Sequence, residues 1–155
     1  MENKDSLSPI VVFAFNQLEP LKACVSALLA NTEAADSDLI VFVEKDKDEA
    51  YQQADIFVFP TYNECFGLVL LEAMQYGLPC ISTNEGAISD IVDDGVTGYI
   101  VEAHNVGHLA AKIEELIDDK QKRMDMGMNG YRKFQEQFTL DMFEKRMSEV
   151  LEQLM

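Results

Sequence analysis

The chain has no tryptophan, three cysteines, and 12 basic residues against 28 acidic ones. Each scarcity excludes something. Cys24, Cys65 and Cys80 are an odd set without a CxxC pair, so neither a disulfide framework nor a structural zinc site is expected, and they suit a reducing compartment. A formal net charge of −16 would repel nucleic acid and anionic membranes, which removes both from the expected partners. Long apolar runs are also missing. Residues 9–15 fall far short of the roughly 20 residues a helical membrane span needs, and the opening MENKD lacks the basic-then-apolar layout of a secretory signal. The expectation is a soluble, cytoplasmic chain.

What is present is apolar content of 48% in 155 residues, enough to build one core. Residues 1–8 are polar and are read as a loose amino terminus, with a single domain over 9–155. Residues 9–15, 39–43, 56–59, 80–82 and 99–101 are near-continuous apolar runs, as expected of strands covered on both faces. Helical spacing separates them: Leu21, Val25, Leu28 and Leu29 follow Pro20, a brief helix fits 45–55, and the corner after residue 67 begins another. A short helix fits 88–92, and Ala110, Ile113, Leu116 and Ile117 mark a longer one. Residues 120–138 read as a helix broken or capped around Gly127 and Gly130. Met142, Phe143, Met147, Val150, Leu151 and Leu154 mark the last helix. Strands alternating with helices predict an α/β fold: one Rossmann-like, doubly wound parallel sheet of about five strands, order 2-1-3-4-5, with helices on both faces. Its switch point would bring the loops 15–22 and 60–67 across one crevice.

The stretch 56–82 carries the chemistry. Gly67 opens a helix whose free backbone N–H groups and partial positive charge suit a phosphate. Glu64 stands at the same mouth. Charge repulsion keeps a carboxylate off a phosphate, so a functional Glu64 should accept hydrogen bonds from neutral hydroxyls, such as those of a sugar. Glu72, eight positions on, could hold a second set of hydroxyls or could be an ordinary solvated helix residue. His104 and His108 at i and i+4 lack a third ligand nearby, so no metal is assigned. Asp93, Asp94, Asp118 and Asp119 sit where turns and helix caps want aspartate, and Cys65 has no base beside it in sequence to activate its thiol.

The string PTYNECFGLVLLEAMQYGLPCISTNEGAISDIVDDGVTGYIV resembles the carboxy-terminal, donor-binding domain of family 4 (group 1) retaining glycosyltransferases of the GT-B fold. The features are two glutamates separated by seven intervening residues, FG after the first, EAM with a following GLP, then EG and DG.TG. They place the likeness over residues 46–155. The resemblance implies that Glu64 holds hydroxyls of the transferred sugar, that Glu72 holds the nucleotide ribose, and that amides near Phe66 and Gly67 receive the diphosphate. Asn63, Cys65, Leu68, Glu85 and Gly86 would line the same place. Residues 9–45, the first strand, helix, strand unit, are similar instead to the start of GT-A family 2 glycosyltransferases. There Lys22 matches the lysine that clamps the diphosphate, Asn16 borders the donor, and neutral Gln17 stands where that lysine's arginine partner is expected.

Since a GT-B enzyme carries its acceptor site in a second domain, the resemblance implies a hybrid or truncated chain, natural or engineered. The function expected is binding of a nucleoside diphosphate sugar, with retaining hexosyl transfer if an acceptor domain or partner chain completes it. No cofactor or metal is expected. The alternative is a catalytically inactive Rossmann module that binds or forms a homo-oligomer through the surface left by the missing domain.

Overall fold

The structure is a computed structural model, described here for residues 10–13, 39–42 and 47–154. Five short apolar runs form its sheet: β1 (Ile10–Phe13), β2 (Leu39–Phe42), β3 (Phe57–Phe59), β4 (Cys80–Thr83) and β5 (Gly98–Val101). All pair in parallel, in the order β2-β1-β3-β4-β5. The register sets Val11 beside Phe57, Phe57 beside Cys80, and Cys80 beside Gly98. The expected parallel α/β class is the one observed. Gly98 is required where it stands, because a Cβ there would overlap the Cys80 carbonyl on the neighbouring strand.

Six helices accompany the sheet among the described residues: α1 (Lys47–Gln53), α2 (Leu68–Gln75), α3 (Ile88–Ile91), α4 (Val106–Asp118), α5 (Lys120–Gln137) and α6 (Leu140–Gln153). Successive strand residues point to opposite faces, so each face has its own core. Val58, Ile81, Tyr99 and Val101 meet Leu109, Ile113 and Leu116 of α4 on one side. Phe57 and Cys80 meet Tyr51 of α1, Leu70 and Met74 of α2, and Ile88 and Ile91 of α3 on the other. Each fully buried Leu, Ile or Phe contributes about 1.5–3 kcal/mol, so both layers are substantial. Burial raises the Cys80 thiol well above its ordinary range, which makes it an inert part of the second layer.

The helix over 120–138 is neither broken nor capped at Gly127 and Gly130, contrary to the expectation from the sequence. α5 runs continuously from Lys120 to Gln137. Gly127 and Gly130 are buried there because α5 lies directly on the end of α2. A Cβ at Gly127 would overlap the Gly77 carbonyl and come within 3.3 Å of Pro79 Cδ, and one at Gly130 would sit 3.5 Å from Met74 Cγ. Glycine inside a helix costs about 1 kcal/mol relative to alanine, offset here by the close approach.

The strand ends also shift by a residue: Ile56 is buried but stands outside the ladder, while Gly98 and Thr83 join it. The chain leaves α5 through Thr139, whose side chain accepts a hydrogen bond from the Met142 N–H, and α6 then buries none of its residues. Among the described residues, no helix is long and apolar enough to cross a membrane. The helix after Pro20 and the loop 15–22, expected to face loop 60–67, lie outside the described residues. So do Asn16, Gln17, Lys22 and Cys24.

Candidate functional site

The site forms at the carboxyl ends of β3 and β4, where open parallel sheets place their ligands. Two hydroxyls fix the loop that leaves β3. Ser82 Oγ donates to the Phe59 carbonyl at 2.7 Å, and Thr83 Oγ1 donates to the Thr61 carbonyl at 2.6 Å. The loop then turns through Asn63, at φ 61°, a left-handed conformation that asparagine tolerates better than most residues. It ends at Gly67, φ 89°, where α2 begins.

Within this turn one Glu64 oxygen, Oε1, accepts three backbone hydrogen bonds. The N–H groups of Cys65, Phe66 and Gly67 donate to it at 2.9, 3.1 and 3.1 Å. Gly67 itself supplies no side-chain cap, so Glu64 caps α2 from three residues upstream. From the sequence, the carboxylate and the amides are expected to have separate duties. The structure joins them, with the carboxylate seated on the amides.

The loop after β4 closes on this corner. Gly86, at φ 52°, rests on the main chain of Glu64 and Cys65, and the Ala87 N–H donates to the Cys65 carbonyl at 3.1 Å. The structure thus gathers Asn63, Glu64, Cys65, Phe66, Gly67, Glu85 and Gly86 at one place. Cys65, Phe66 and Leu68 are exposed there, Leu68 by 65%.

Glu72 lies on the second turn of α2 and is held from the side by α1. The Tyr51 hydroxyl donates to Glu72 Oε2 at 3.0 Å, and Lys47 Nζ lies 3.6 Å from the same oxygen. Tyr51 is 2% exposed and stacks on Tyr76, with ring centroids 5.2 Å apart, while the Tyr76 hydroxyl donates to Asp48 at 2.9 Å. Burial first, then the Glu72 carboxylate, keeps the Tyr51 phenol protonated well beyond its usual range. Glu72 is therefore more than a solvated helix residue. Sequence reasoning missed Tyr51 and Lys47, although one aromatic in the otherwise polar stretch KDKDEAYQQAD was a signal.

The histidines do not come together as ligands. His104, at φ 62°, stacks on Tyr62 with centroids 4.4 Å apart, and His108 Nδ1 accepts from the Glu102 N–H. Among the described residues no group of three or more His, Cys, Asp or Glu is arranged to hold a metal ion. Asp94 accepts from the Ile100 N–H, Asp93 pairs with Lys133, and Asp119 caps α5, so these aspartates serve turns and helix ends.

Residues 16–133 match the family described as glycosyl transferases group 1, and the chain belongs to that family. The match begins well inside residues 9–45, so this one family spans much of the segment likened above to GT-A enzymes. Over 77 residues the chain is 44% identical to the D-inositol 3-phosphate glycosyltransferase of Paenarthrobacter aurescens, a stretch covering 50% of this chain and 19% of that one. The matched stretch thus spans about a fifth of that relative's length.

Among solved structures, it is similar to Anabaena HepE in complex with UDP and glucose (TM-score 0.75, 20% identity, 94% of this chain and 49% of that one). It is also similar to the carboxy-terminal domain of the group 1 glycosyl transferase LpcC from Francisella tularensis (TM-score 0.70, 22% identity, 87% of this chain and 88% of that one). At these identities the structural likeness establishes the fold. The second also shows a chain of similar extent forming this fold on its own.

Proposed function

We propose that this chain is the donor-binding half of a retaining glycosyltransferase and binds a nucleoside diphosphate sugar at the Glu64 to Glu72 corner. The observation that carries the reading is the seat of Glu64 Oε1 on three inward-turned amides, with a second carboxylate one helix turn further along. A nest that binds one anionic oxygen can bind another. On donor binding a diphosphate oxygen takes the amides, and Glu64 turns to the neutral hydroxyls of the sugar. The two anions cannot share the nest, since unit charges 4 Å apart repel by about 1 kcal/mol in water and by more in a partly buried site.

Glu72 then takes the ribose hydroxyls, and Lys22 neutralises the departing diphosphate. Asn63, Cys65, Leu68, Glu85 and Gly86 line the donor. Asn16 and Gln17 border it from the first strand's loop, with neutral Gln17 adding no charge. The whole of 9–155 acts as one binding domain, and a cytoplasmic setting fits both the donor and the reduced cysteines. No metal or cofactor enters this reading. Transfer requires an acceptor-binding domain or partner chain. HepE, whose structure holds UDP and glucose, has the same fold, and this supports the choice of ligand class. The parts given to Asn16, Gln17 and Lys22 rest on the likeness of residues 9–45 to GT-A enzymes, whereas the Glu64 to Glu72 corner does not need it.

Titration calorimetry with UDP, GDP and their sugars tests the proposal. Saturable heat with one site per chain is expected. No heat and no melting shift at millimolar ligand would contradict it.

A second reading, an inactive module that pairs with itself, is favoured by one observation. α6 buries no residue and leaves Leu140, Phe143, Met147, Val150 and Leu151 exposed, with Leu154 exposed just beyond it. Sedimentation across a concentration series decides it, a dimer supporting and a persistent monomer opposing.

A further inference from the structure

The contacts of Glu72 are unequal between its two oxygens. Oε2 accepts from the Tyr51 hydroxyl and has the Lys47 ammonium beside it, whereas no hydrogen bond to Oε1 is formed among the described residues. Tyr51 cannot easily move. Its ring is buried between Phe57 of the sheet, 5.7 Å away by centroid, and Tyr76 at the end of α2, and its hydroxyl also lies 3.5 Å from the Val69 carbonyl. A hydroxyl has one proton to donate, and the shorter, charge-assisted bond to Glu72 takes it. α1 therefore grips the carboxylate from the side by a residue fixed in the core.

We infer that Tyr51, with Lys47 beside it, is a positioning residue: by holding Glu72 Oε2 it fixes the carboxylate rotamer and presents Oε1 to the paired hydroxyls of a ribose. This rests on the reading of Glu72 as the ribose ligand. A glutamate on a helix surface otherwise samples several rotamers, and each hydroxyl it binds must first overcome that freedom. Anchoring one oxygen beforehand removes the loss and fixes the direction in which the other accepts. Tyr51 is 2% exposed and its hydroxyl is spent on Glu72, so it acts through that carboxylate, and its effect should fall on the ribose hydroxyls.

The test compares binding of UDP and GDP with their 2′,3′-dideoxy analogues in the intact chain. Wild type should prefer the hydroxylated form, and E72A should lose that preference. Y51F keeps the ring and its packing. It should reduce the preference about three- to tenfold, as for loss of one hydrogen bond, while leaving affinity for the dideoxy form unchanged. K47Q, at an exposed side chain, leaves the core intact and should act in the same direction by a smaller factor. Should E72A lose the preference while Y51F and K47Q retain it in full, or should Y51F weaken both ligands equally, Tyr51 does not position Glu72. Should E72A itself keep the preference, the ribose role of Glu72 falls, and the inference with it.

Discussion

Gly86 lies so close to Glu64 that a Cβ on it would overlap the Glu64 carbonyl oxygen. The contact joins the loop after β4 to the turn after β3, and so couples two parts of the chain 22 positions apart to a single corner. Gly86 also has φ 52°, which a side chain disfavours even without a neighbour. A Gly86→Ala chain is expected to lose about 2–3 kcal/mol in denaturant unfolding, together with its nucleotide affinity. Gly95→Ala is the control. It shares the positive φ, at 74°, but has nothing within 4 Å of its Cβ, so about 1 kcal/mol is expected there with binding intact.

Because Glu64 Oε1 occupies the amides of Cys65, Phe66 and Gly67, its removal has two opposite effects. Glu64→Ala takes away the cap of α2, at a cost of about 1 kcal/mol. It also frees the amides for other anions. Inorganic pyrophosphate should bind the variant several-fold more tightly than wild type at low salt, and any preference for a UDP-sugar over UDP should vanish. Unchanged pyrophosphate affinity would show that the amides are not an anion site.

Acid should weaken the fold partly through Glu115. The Lys112 and Lys122 ammonium groups, followed by the Tyr99 hydroxyl, donate to it and hold its carboxyl at about 2, below an ordinary 4.5. A depressed folded value means the stabilisation is complete above pH 4.5 and is lost as pH falls toward about 2. The side chain is 34% exposed, and screening limits its share to about 1 kcal/mol. Glu115→Gln should therefore melt lower than wild type at neutral pH, and the difference should close as pH falls through that window. A constant difference would contradict the assignment.

Much of the sheet was legible because strands buried on both faces read as apolar runs, and the turns between them carry glycine and proline. The corner was legible for the same reason: a strand, a turn and a helix start are local. What the sequence hid is long-range. Nothing near Gly127 distinguishes a glycine that breaks a helix from one that lets the helix touch Gly77, 50 positions away. Nothing near Glu72 names Tyr51, 21 positions earlier, as its anchor. The seat of Glu64 on its own following amides was local but hidden too, since the same residues suit either a ligand-facing carboxylate or a cap.

The most direct measurement is a crystal structure of the chain grown with a nucleoside diphosphate sugar. Its diphosphate should lie on the amides of Cys65 to Gly67, with Glu64 turned away from them onto the sugar hydroxyls and Glu72 Oε1 on the ribose. A ligand bound elsewhere, with Glu64 still seated on its own amides, would contradict this.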